Sequence, residues 1–211
     1  MKKLLLLSAL LIFACGFGQT PITDANFSQA IETCLSTNPV DGMCSDSEYG
    51  AMPNWDVSQV TDMTDAFFKR VEFNADISNW DVSNVTNMYG MFWHVSTSTS
   101  PAFNQPIGDW NVSNVTNMKF MFYRTPFNQP IGDWDVTNVT TMWGMFALTP
   151  FFNQPIGDWD VSNVTNMYSM FYEATSFNQD ISNWNTTNVN IMGIMFRYAE
   201  SFNQDLSSWD I

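Results

Sequence analysis

Tryptophan recurs at positions 55, 80, 110, 134, 159, 184 and 209 of this 211-residue chain, with spacings of 25, 30, 24, 25, 25 and 25. The same string begins at the first six: WDVSQVTDM at Trp55, WDVSNVTNM at Trp80 and Trp159, WNVSNVTNM at Trp110, WDVTNVTTM at Trp134 and a looser WNTTNVNIM at Trp184. A period of 20–50 residues means a stacked array in which no unit buries its apolar side chains alone. A propeller is excluded, because each blade needs four strands in about 40 residues.

The apolar positions within a unit suggest its shape. Trp110 and Val112 lie two apart, as on one face of a strand, and Ile107 precedes them through the turn residues Pro106 and Gly108. Val115, Met118, Met121 and Phe122 then follow at i, i+3, i+6 and i+7, the stripe of a short helix. The expected fold is therefore an α/β repeat solenoid, a leucine-rich-repeat-like right-handed coil of strand-plus-short-helix units. Ile131, Trp134, Val136 and Val139 occupy positions of a leucine-rich consensus, although Asn138 falls one residue before the usual asparagine. Asn84, Asn114, Asn138, Asn163 and Asn188 are candidates for a hydrogen-bonded ladder. Residues 51–211 make six full units and a truncated seventh, ending at Trp209-Asp210-Ile211. Either the natural chain stops abruptly there or a C-terminal sorting or anchoring domain is missing.

The N-terminus has the layout of a secretory signal peptide: basic Lys2-Lys3, an apolar run from Leu4 to Phe13, then Gly16 and Gly18 before a cut at Gln19. That run is too short to span a bilayer. Cys15, within IFACG, is a candidate lipidation site, so a lipid-anchored and a freely secreted form are both open. The chain has 21 acidic and 7 basic residues, and loss of residues 1–19 would leave 5 basic ones. Such a balance excludes nucleic acid and anionic membrane as partners. The expected location is the bacterial cell surface, the outer membrane or the extracellular space.

Residues 20–50 are expected to cap the array. Thr23 or Asp24 can N-cap a helix with Phe27, Ile31 and Leu35 on one face. Cys34 and Cys44, an isolated close pair in an oxidising compartment, are expected to form a disulfide. The string FNQDISNWNTTNVNIMGIMF and its relatives, over about residues 50–211, resemble the BspA-like leucine-rich-repeat surface proteins, including the Mycoplasma-type domain of unknown function. The segment from Ile22 to Met63 resembles the cap before such arrays in secreted proteins of the Bacteroidetes. The resemblance implies a surface or secreted protein that adheres or binds protein, and it supplies no catalytic residues.

The residues themselves agree that this is not an enzyme, since no nucleophile–base set, zinc motif or phosphate loop is present. The single histidine, His94, lies within the longest unit's Ser/Thr-rich segment from Trp93 to Pro101, read as a surface loop with a five-residue insertion, and is expected to be an exposed loop residue. The paired methionines read as core filler rather than as copper ligands. The N-V-T strings at Asn84, Asn114, Asn138 and Asn163 follow from the repeat and need not be glycosylated. The residues flanking each tryptophan should face solvent, which sets Asp109, Asp133, Asp135, Asp158 and Asp160 in a carboxylate ladder. It is a candidate site for Ca2+ or a basic partner, although a solvated acidic face explains it too. The leading functional expectation is an adhesion or protein-interaction module. Alternatives are glycan binding through Trp93, Tyr123 and Trp143, and a structural spacer in an envelope protein.

Overall fold

The computed structural model describes residues 20–95 and 100–210. The proposed leader and Cys15 lie outside the described residues. One α-helix, α1 (Phe27–Leu35), precedes a single 3-10 turn at Met52–Asn54. The units after it stack in sequence order, joined by isolated parallel bridges from Asp62 to Asn87, Asn117, Thr141, Asn166 and Ile191. This corrects the expected α/β solenoid: among the described residues the units contain neither an extended strand nor an α-helix.

The reason lies in a spacing that two structures share. A β-turn, like a helix, brings residues i and i+3 together. In every full unit from Ile77 onward the tryptophan amide bonds back three residues, as Trp110 N to the Ile107 carbonyl at 3.2 Å. The two valines then close a second turn, Val115 N to Val112 O at 2.9 Å. Asn111 fixes that turn by accepting from the Ser113 amide, and Asp81, Asp135 and Asp160 do the same in their units. The expected helix is likewise a run of overlapping turns, Met121 N to Met118 O, Tyr123 N to Phe120 O and Thr125 N to Phe122 O. Phe120 and Arg124 have φ of 58°, a left-handed conformation that no α-helix tolerates. The amides between those turns are spent elsewhere. Those of Met142, Gly144, Phe146 and Leu148 donate to the carbonyls of Asn166, Tyr168, Met170 and Tyr172 in the next unit, at 2.7–3.0 Å.

Side chains bind the same junctions. Each asparagine of the expected ladder donates to a carbonyl of the unit before, as Asn138 Nδ2 to Ser113 O at 2.7 Å. A second ladder runs through the FNQ segments, where Asn153 N donates to Asn128 Oδ1 at 3.0 Å and Gln154 Nε2 to Asn128 O at 2.9 Å. Tryptophan Nε1 also reaches back one unit, Trp134 to the Ile107 carbonyl at 3.1 Å. The core consists of stacked rings. Phe67, Phe92, Phe122, Phe146, Phe171 and Phe196 follow one another at 5.4–5.8 Å, nearly parallel. Within each unit a second phenylalanine closes on the first, as Phe146 on Phe152 at 3.8 Å and Phe92 on Phe103 at 3.8 Å. Pairs like these contribute about 0.5–1.5 kcal/mol each beyond their buried area.

The segment before the first unit imitates a preceding repeat. Asp24 takes the Thr61 amide, which in later units bonds a threonine carbonyl one unit back. The Gly50 carbonyl takes Trp55 Nε1, and the Val40 carbonyl takes the Asn74 amide. Helix α1 buries Phe27, Ala30, Ile31, Cys34 and Leu35, and an Arg70–Glu32 ion pair ties it to the first unit. Its N-cap is Asn26 rather than Thr23 or Asp24; the Asn26 side chain accepts from the Thr23 amide. Cys34 and Cys44 are disulfide-bonded, with Cα atoms 5.2 Å apart.

Candidate interaction surface

The turns around each tryptophan and the overlapping turns after each Met form two distinct surfaces. On the first, Asp109, Asp133, Asp135, Asp158 and Asp160 are all exposed. Asp135 and Asp160 are held in their turns by the amides of Thr137 and Ser162, at 3.1 and 3.0 Å. Hydrogen bonds from Ser162 keep the Asp160 carboxyl below its ordinary range. Asp133 and Asp158 line one shallow depression with Pro155, Gln179 and Asp180. Among the described residues no three His, Cys, Asp or Glu side chains converge as a metal site requires. No helix among them is long and apolar enough to cross a membrane.

His94 is not the exposed loop residue expected from the sequence. It is buried, with 3% of its surface exposed, and its amide donates to the Tyr123 carbonyl. The overlapping-turn segment runs through it before the insertion begins. Burial disfavours the imidazolium and lowers its pKa.

The second surface carries rings. Phe68, Trp93, Phe120, Trp143 and Tyr168, one from each of five successive units, form a half-buried stripe with neighbouring centroids 4.7, 5.6, 5.4 and 5.6 Å apart. Tyr123 packs against both Trp93 and Phe120, so the three residues singled out for glycan binding do lie together, joined through Phe120. Phe68, Trp93 and Phe120 are stacked at interplanar angles of 15–16°, which turns their edges to solvent. Lys119 Nζ lies 3.6 Å from the Trp143 ring centroid and 5.0 Å from that of Phe120, where desolvation lowers its pKa. Asp65 Oδ1 accepts Trp93 Nε1 at 2.7 Å and aligns that ring; burial raises the Asp65 pKa.

Glycine makes room for the stripe. Gly144 has φ of 61°, and a Cβ there would lie 2.5 Å from the Phe120 ring. Phe120 itself was missed by the sequence reading, which placed it on a helix. The aromatic bias one and five residues after the methionine could have found the other four rings, Phe68, Trp93, Trp143 and Tyr168, but not Phe120, which lies two residues after Met118.

No curated protein and no solved structure matches the chain. A family described as Mycoplasma protein of unknown function, DUF285, matches residues 40–147 and again 124–211. The two matches together run from the end of the cap through all of the stacked units, and on that span the chain belongs to the DUF285 family.

Proposed function

We propose that the chain is an exported surface or secreted module that binds a protein partner along the aromatic stripe. The observation that carries this reading is the stripe itself. Half-exposed aromatic side chains run across five units of a chain whose other surface, around the tryptophans, is rich in Asp, Asn, Ser and Thr. Exposed apolar patches with polar rims mark interaction sites, and aromatic residues dominate protein-binding hot spots. Glycan binding needs open ring faces for sugars to stack on. Trp93 has Phe68 and Phe120 against its two faces, and Lys119 lies over Trp143. Ring edges suit the side chains of a protein better. The likeness of the repeat string to BspA-like surface proteins, the leader-like N-terminus and the Cys34–Cys44 bridge support export.

The test is retention of the purified protein on an extracellular-matrix extract. Protease treatment of the matrix should abolish retention, and periodate oxidation of its sugars should leave it intact. The reverse pattern would overturn the protein-binding reading in favour of glycan. Intact mass of the naturally produced protein tests export: a start at Cys15 with lipid, or near Gln19 without, is expected. A chain retaining Met1 in the cytoplasm would refute it.

A further inference from the structure

We infer that the partner seated on the stripe is an acidic polypeptide bearing apolar side chains, an inference that rests on the stripe being the binding surface. Charge and ring orientation argue for it together. Apart from Lys2 and Lys3, the basic residues of the chain are Lys69, Arg70, Lys119, Arg124 and Arg197, each within an overlapping-turn segment, with Arg70 paired to Glu32 of α1. Residues 87–95, 117–124 and 141–148, which form that surface in three central units, contain no Asp or Glu, whereas the flanking units bring Asp62 and Asp65 at one end and Glu173 at the other. The acids that follow the tryptophans, Asp56, Asp81, Asp135 and Asp160, sit on the turns of the other surface.

The rings add to the same field. An aromatic ring is negative on its face and positive at its edge. Phe68, Trp93 and Phe120 hide their faces against one another, so they present positive edges, apart from the Trp93 N–H, which Asp65 already holds. Lys119 stands among them with Trp143, Phe120 and Tyr89 as its neighbours. An incoming carboxylate would therefore meet a partly desolvated ammonium and ring edges, while apolar side chains cover the rest of the stripe. At physiological salt the Debye length is about 8 Å, so such a partner responds to this surface more than to the net charge of the whole chain.

The test uses the full chain immobilised for interferometry and three soluble probes: a random Glu/Tyr copolymer, poly-Glu and alginate. The copolymer should bind most tightly and weaken as salt rises, with poly-Glu weaker and alginate blank. Lys119→Glu should lose about tenfold or more in copolymer affinity, as removal of a hot-spot residue does. Asp46→Asn, on the cap, should bind as the wild type. Circular dichroism melts of each variant separate lost binding from lost folding, and Trp143→Ala provides a second, uncharged probe of the stripe. If alginate binds as well as the copolymer, the partner is an anionic polysaccharide and the inference fails. If matrix retention depends on Lys119 and Trp143 but neither acidic polypeptide binds, the partner class is wrong while the stripe reading stands. If matrix retention survives both substitutions, the stripe reading falls and this inference falls with it.

Discussion

Replacing Asp24 by alanine tests whether the cap works by imitating a repeat. Its carboxylate accepts three hydrogen bonds, from Thr61 N at 2.7 Å, Thr61 Oγ1 at 2.6 Å and Asp62 N at 3.2 Å. Charge-assisted bonds of this kind are worth about 1.5–3 kcal/mol when buried, but Asp24, Thr61 and Asp62 are all exposed and water can replace the lost acceptor. A helix-cap deletion, at about 0.5–2 kcal/mol, is the nearer comparison, and we expect Asp24→Ala to cost about 1–2 kcal/mol. For a chain of this size that lowers Tm by roughly 2–8 °C. Asp24→Asn keeps one acceptor and should fall between the two.

Acid provides a second reading of the same bonds. Partial burial raises the Asp24 pKa, but the bonds from Thr61 and Asp62 outweigh it and the net shift is downward. A depressed carboxylate stabilises the fold fully above its unfolded pKa of about 3.9, and the contribution disappears as pH falls through the folded value. Wild type and Asp24→Ala should therefore differ in thermal melts at neutral pH and converge in strong acid. Hydrogen exchange should place the loss at the Thr61 and Asp62 amides, because an end defect in a stacked array frays the end first. Equal Tm values at pH 7, or a gap that persists unchanged in acid, would refute the reasoning.

Two further predictions rest on single residues. His94 is buried with a lowered pKa, so its unfolded form takes up protons first; stability should fall as pH drops below about 6.5, and His94→Gln should flatten that slope in denaturant titrations. Gly144→Ala and Gly157→Ala should differ in thermal melts. At Gly144 the added methyl meets a ring that can shift, costing about 1–2 kcal/mol with the left-handed φ included, whereas at Gly157 it would lie 2.4 Å from the Asp180 backbone oxygen and cost about 3 kcal/mol.

The sequence exposed the order of the molecule better than its backbone. The tryptophan period marked the units, and Val115, Met118, Met121 and Phe122 are all buried as their spacing implied. Phe27, Ile31 and Leu35 face the core from α1, and the disulfide pairs as expected. The local conformation was not legible, because a three-residue apolar step is common to helices and to consecutive turns. What separates them here is the left-handed backbone at Phe120, Arg124 and Leu148, residues that ordinarily avoid it. Stacking imposes that cost, since alternate amides must reach the next unit. The same turns carry Phe120 into the stripe, where a helical reading does not set it apart, and draw into the interior His94, which was expected in an exposed loop.

The paired phenylalanines have an evolutionary consequence. Phe122 and Phe127 close at 4.0 Å over five sequence positions, whereas Phe92 and Phe103 close at 3.8 Å over eleven. Ring stacking to the next unit is the same on both sides, 5.7 Å from Phe92 to Phe122 and 5.7 Å from Phe122 to Phe146. The clamp therefore uncouples loop length from the pitch of the stack. Doubling a flexible loop costs only about 0.6 kcal/mol in closure entropy. Each unit thus has a point where new sequence can be inserted and selected without disturbing its neighbours, so the array can diversify unit by unit while its core stays in register.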